Sequence, residues 1–121
     1  MADTIDITII IKRNGVDVPN FPYRRRLVVD EVQSFSYERA TGGGYVSLPV
    51  DQMDTLQALV VSADQATTIR LAAQTDTGIA LNAGGLLLVV DAAIAAAAAT
   101  NAKLDNSSGS TTVVSGLGAG T

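Results

Sequence analysis

Between Thr67 and Val90 the chain runs from a first apolar stretch, through a turn-rich middle, into a second apolar stretch. Ile69 and Leu71 lead into Gln74-Thr75-Asp76-Thr77-Gly78, and Leu81-Asn82-Ala83-Gly84-Gly85 opens into Leu86-Leu87-Leu88-Val89-Val90. Runs this short have the length of strands. Asn and Gly tolerate the positive φ of a turn, and an unbroken apolar pentapeptide suits a strand buried on both faces. The segment therefore predicts two strands facing each other across a loop, and it ties the core of the protein to β-structure.

The same grammar recurs along the chain. Ile5, Ile7, Ile9 and Ile11 alternate with Asp6 and Thr8 across residues Thr4 to Lys12, a period of two in β-branched residues that predicts a first strand. Asn14-Gly15 then reads as a tight hairpin turn, with Val16-Asp17-Val18 returning. Pro19 and Pro22 cannot donate to a ladder, so residues 16–26 are expected to contain an extended arm or edge loop. Strands follow over Arg26 to Arg39, with Phe35, Tyr37 and Arg39 on one face and Ser34, Ser36 and Glu38 on the other. Further strands are expected at Tyr45 to Val50, Leu56 to Ala63 and Thr67 to Ala73, with Gly42-Gly43-Gly44 and Asp64-Gln65 as turns.

Asp91 to Lys103 divides two arguments. Its alanines are the best helix formers and Asp91 is a competent N-cap. The segment is nevertheless short, lacks an amphipathic stripe and follows a strand without a loop. We expect strand, with the alanines permitting close approach of a neighbouring sheet or subunit. Asp105 to Ser110 reads as a polar turn, Thr111 to Val114 as a last strand, and Gly116 to Thr121 as a flexible tail. About eight short strands without a βαβ rhythm predict an all-β, single-domain fold, a β-sandwich or jelly-roll-like barrel. At 121 residues the chain supports one core.

Composition narrows the chemistry. The absence of cysteine and histidine removes disulfides, thiolate metal sites and the usual nucleophiles and general base. The Asp51, Asp54, Asp76, Asp91 and Asp105 carboxylates lack the spacing of a calcium loop, and turn formation accounts for Asp54, Asp76 and Asp105. Ser107-Ser108-Gly109-Ser110 has no base to activate a hydroxyl, and Gly42-Gly43-Gly44 has no Lys-Ser/Thr pair behind it to hold a phosphate. The reading is a non-enzymatic protein with no cofactor and no metal.

A net charge of −4 argues against nucleic acid as a partner. No apolar run has the length of a membrane helix, and Met1 to Thr4 do not open a secretory signal. Only 17% of residues are charged, which points to a surface covered by partners. Self-association is expected through the alanine face, with Ala96 and Ala97 at its centre. The second expected contact is Tyr23, Arg24, Arg25 and Arg26, whose guanidiniums suit bidentate bonding to carboxylates of another chain; a solvated strand start is the plainer account of the same residues.

The segment Gln74 to Gly85 and the closing Asn-, Ser-, Thr- and Gly-rich stretch from Asn101 to Thr121 resemble small structural proteins of tailed-bacteriophage virions, head decoration or cement proteins in particular. The resemblance covers about half the chain and transfers no functional residue. It implies a β-rich protein, often a homotrimer, on the capsid surface, bound to the major capsid protein and stabilising the head. A phage tail or adaptor component shares the same texture. A carbohydrate-binding module would need aromatic platforms from Phe21, Tyr23, Phe35, Tyr37 and Tyr45.

Overall fold

The computed structural model describes residues 2–50, 53–71, 78–91, 95 and 102–121. In chain order its strands are β1 (Asp3–Ile9), β2 (Lys12–Arg13), β3 (Val16–Asp17), β4 (Tyr23–Val29), β5 (Glu31–Arg39), β6 (Val46–Ser47), β7 (Leu56–Ala63), β8 (Thr67–Arg70), β9 (Ile79–Leu81), β10 (Leu86–Val89), β11 (Lys103–Asn106) and β12 (Thr112–Gly120). Eight of them form two four-stranded antiparallel sheets, ordered β10-β7-β12-β5 and β6-β11-β8-β9. The protein is an all-β sandwich, as the short runs and turns predict.

The core forms where the inward faces of the two sheets meet. Successive side chains of a strand point to opposite faces, so Leu59, Val61 and Ala63 of β7 and Val114 of β12 turn toward Ile69 of β8 and Leu104 of β11. Leu48, Val50, Met53 and Leu56 close the same cluster, with Phe35 and Tyr37 packed at its margin. The aromatic face expected on residues 35 to 39 is therefore the inward face of β5. Burying a side chain such as Leu59 or Leu104 contributes about 2 kcal/mol.

A second, smaller cluster lies on the outer face of the first sheet. Leu27 and Val29 of β4 are buried against Ala58 and Ala119, with Ile5, Ile7, Val32 and Leu117 around them. β1 and β4 pair antiparallel from Asp3↔Val29 to Ile9↔Tyr23, and beyond them β2 and β3 close the hairpin at Asn14-Gly15. Both turn residues have positive φ, 54° and 80°, the geometry that Asn-Gly favours. Residues 3–29 are thus one long β-ribbon, docked by its base on the sandwich.

Several expectations are corrected. Residues Tyr23 to Arg26 lie in β4 rather than in a loop or extended single arm. The apolar runs of the Thr67–Val90 stretch do not pair with each other: β8 pairs with β9 and β11, whereas β10 pairs with β7 in the other sheet. Asp105 and Asn106 end a strand instead of starting a turn.

The largest correction concerns Gly116 to Thr121. Expected as a flexible tail, residues 116–120 complete β12, the strand flanked by β5 and β7. Gly116, Gly118 and Gly120 recur with period two on its inward side, where space is missing. A Cβ at Gly116 would meet the Val60 carbonyl oxygen and lie 2.6 Å from Phe35 Cζ, and one at Gly118 would lie 2.5 Å from Val50 Cγ1.

Within Asp91 to Lys103, Ala95 is helical and donates its N–H to the Asp91 carbonyl at 2.8 Å, so the expected strand fails at this point. Ala96 and Ala97, the expected self-association face, lie outside the described residues, as do Asp51 and Asp76.

Candidate attachment surface

The ribbon carries a charge balance opposite to that of the body. Residues 3–29 hold five cations against three carboxylates, while the rest of the chain holds three cations against nine. The strand register decides how those cations are presented. Arg24 and Arg26 fall on the outer face of β4, opposite Thr8 and Asp6, whereas Arg25 shares the other face with Tyr23 and Leu27. The three arginines do not form one patch, because consecutive residues of a strand cannot.

Their states also differ. Arg26 Nε donates to Asp6 Oδ1 at 2.7 Å and its Nη2 to Asp6 Oδ2 at 3.4 Å, the forked geometry expected toward another chain but satisfied within this one. The hydrogen bond from Arg26 holds the Asp6 carboxyl below its ordinary range, and the same bond raises the guanidinium. Both side chains are largely exposed, so the pair contributes little to stability. Among the described residues, Arg24 and Arg25 make no hydrogen bond or ion pair. An open depression of about 450 Å³ runs along this part of the ribbon, bordered by residues 6–8 of β1 and 24–26 of β4 without bringing the three guanidiniums onto one face.

Beyond this cationic band the ribbon is apolar and uncovered. From Ile10 to Pro22 no residue is buried; Ile10 is 53% exposed and Val16 69%, with Ile11 and Phe21 beside them in the sequence of exposed apolar positions. Two residues, Ile10 and Ile11, separate β1 from β2, while five, Val18 to Pro22, separate β3 from β4. That inequality is why Asp6 could not be recognised as the partner of Arg26 by counting back from the Asn14-Gly15 turn. The signal lay in Pro19-Asn20-Phe21-Pro22, whose two prolines mark extra residues in the returning strand.

Elsewhere the polar groups are committed to structure. Asn106 is buried, donates to the carbonyls of Arg39 and Ser110 at 2.9 and 2.8 Å, and accepts from Ser108 N–H and Oγ. The Asp64 carboxylate accepts from Val113 N–H and Thr112 Oγ1, both at 2.8 Å. Among the described residues no three acidic side chains come together to hold a metal ion. Of the five aromatics only Phe21 is exposed: Phe35 and Tyr37 pack against the core, Tyr23 is half-buried, and Arg70 stacks on Tyr45 with Cζ 3.8 Å from the ring centre. The chain matches no protein family, no characterised protein and no solved structure.

Proposed function

We propose that the chain is a non-enzymatic structural protein that attaches to a larger assembly through its β-ribbon. The observation that carries the reading is the ribbon itself: a cationic band with Arg24 and Arg25 uncommitted, and an exposed apolar tip, on an otherwise acidic sandwich. Rigid strands hold the guanidiniums at fixed spacing, so a carboxylate-bearing partner can be engaged in one register at little ordering cost. The resemblance read from the sequence supplies the assembly: a decoration or cement protein on the surface of a phage head, with the major capsid protein as the acidic partner. A tail or adaptor role would use the same ribbon, and copy number per particle separates the two.

The test is co-sedimentation of the purified protein with phage heads that lack it. Changing Arg24 and Arg25 to serine should leave the circular dichroism spectrum unchanged and weaken binding by about 2 kcal/mol, where the guanidiniums become desolvated against carboxylates. Pairs that stay at the solvated rim instead contribute less and weaken with added salt. Full occupancy by the double variant at low and high salt would remove the ribbon arginines from attachment.

A further inference from the structure

We infer that β5 is a second, separate interface, through which two copies of this chain join edge to edge about a two-fold axis at Phe35. β5 is nine residues long, shares with β12 the greatest length in the sandwich, and pairs with β12 on one side only. The other edge strands of the two sheets have four, two and three residues, in β10, β6 and β9. Among the described residues no strand lies against the free side of β5. Two of its backbone carbonyls also receive side chains, Ser34 from Gln33 Nε2 and Arg39 from Asn106 Nδ2.

A long open edge is a template for another strand, and chains that stay alone guard such edges with a central charge, a proline or a bulge. β5 has none of these between Val32 and Tyr37. Its charges sit at the two ends instead, Glu31 at one and Glu38-Arg39 at the other.

Those ends make the strand complementary to itself. Antiparallel pairing of two β5 strands centred on Phe35 sets Glu31 opposite Arg39, Val32 opposite Glu38, Gln33 opposite Tyr37, and Ser34 opposite Ser36. The two-fold axis repeats each pair, so two cross-strand ion pairs close the ends. The register also joins inward face to inward face, since Glu31, Gln33, Phe35, Tyr37 and Arg39 lie on one side of the strand. Among the described residues the Glu31 carboxylate makes no hydrogen bond or ion pair, and the Arg39 guanidinium reaches only the Gly42 and Gly44 carbonyls, at 3.5 and 3.3 Å. An open cleft of about 320 Å³ borders Glu31 and Gln33, leaving that end accessible. The occupant is therefore a second copy of the same chain, and the product is a continuous eight-stranded sheet. This interface does not depend on the ribbon or on what the ribbon binds.

Sedimentation equilibrium of the full chain should give twice the 12.4 kDa of the monomer. Glu31→Arg turns two attractive pairs into two repulsive ones and should weaken the dimer at least about tenfold, whereas the exchange Glu31→Arg with Arg39→Glu should restore it. Circular dichroism reports whether each variant is folded. A cross-link that leaves both charges in place decides the register independently: mixing Ser34→Cys with Ser36→Cys under oxidation should join 34 to 36 in preference to either like pair, in a chain that otherwise has no cysteine. Arg24→Ser with Arg25→Ser should leave the dimer unchanged. A monomer, a trimer, a dimer indifferent to Glu31→Arg, or cross-links without preference for 34 to 36 would overturn the inference.

Discussion

The sandwich and the ribbon are made of the same kind of antiparallel strand and end in opposite conditions. β7 has buried residues on both of its faces, Leu59 and Val61 toward one cluster and Ala58 toward the other. β1 alternates as regularly, yet none of its residues is fully buried, because a two-stranded ribbon offers its neighbours only one covered side and only at its base. Alternation prepares a strand for burial; a second layer delivers it. The ribbon thereby keeps apolar and cationic side chains available for contacts that the sandwich has used up on itself.

The sharpest way to break the comparison is to strike β12, which belongs wholly to the sandwich. Gly116→Val should cost about 3 kcal/mol in urea unfolding, since its side chain meets Phe35 and the Val60 carbonyl. A loss under about 0.5 kcal/mol would mean that the strand is not held between β5 and β7.

Leu27→Ala comes next, at about 2 kcal/mol, because it empties a buried position in the smaller cluster. Hydrogen exchange should show its effect concentrated in β1 and β4, with amides of β7 and β12 still protected. Uniform loss of protection would mean that ribbon and sandwich unfold as one unit.

A gain is expected at Thr67, whose buried hydroxyl has no hydrogen-bond partner among the described residues. Thr67→Val keeps the shape, removes that unpaired group, and should stabilise the protein by about 1 kcal/mol in the same unfolding experiment. Destabilisation would show that the hydroxyl has a partner.

The smallest effect is one of pH. The Val113 N–H, followed by the Thr112 hydroxyl, holds the Asp64 carboxyl below its ordinary value of 3.8. The folded state therefore binds fewer protons there than the unfolded chain, and stability rises with pH across that window. The contribution is complete above the ordinary carboxylate value and is lost as pH falls through the folded one. Asp64→Asn should flatten this part of the acid unfolding curve; an unchanged curve would place the acid sensitivity in other carboxylates. Asp6, lowered by Arg26, adds a shift of the same sign from the ribbon, so comparing Asp6→Asn with Asp64→Asn apportions it between the two regions.

Much of the fold was legible because strands announce themselves locally. β-branched alternation from Ile5 to Ile11, the run Leu56 to Ala63 and the Asn14-Gly15 turn depend on sterics within a few residues, and each appears where those sterics place it, except that β1 ends at Ile9. The attachment surface was legible in part: Tyr23 to Arg26 stood out as the dense positive spot, but their division between two faces and the Asp6–Arg26 pair depend on a register set by the extra residues from Val18 to Pro22.

What the sequence alone determined is the class of the protein: all-β, without the residues of thiol or imidazole chemistry. Only the tertiary structure decided which strands meet. β9 and β10, neighbours in the chain, went to different sheets because each was covered by a different partner, β8 and β7. The closing glycines show the reason most plainly. Read along the chain, a residue without a side chain means freedom; set between Phe35 and the Val60 carbonyl, the same absence is a fit, and the last residues form a strand held on both sides.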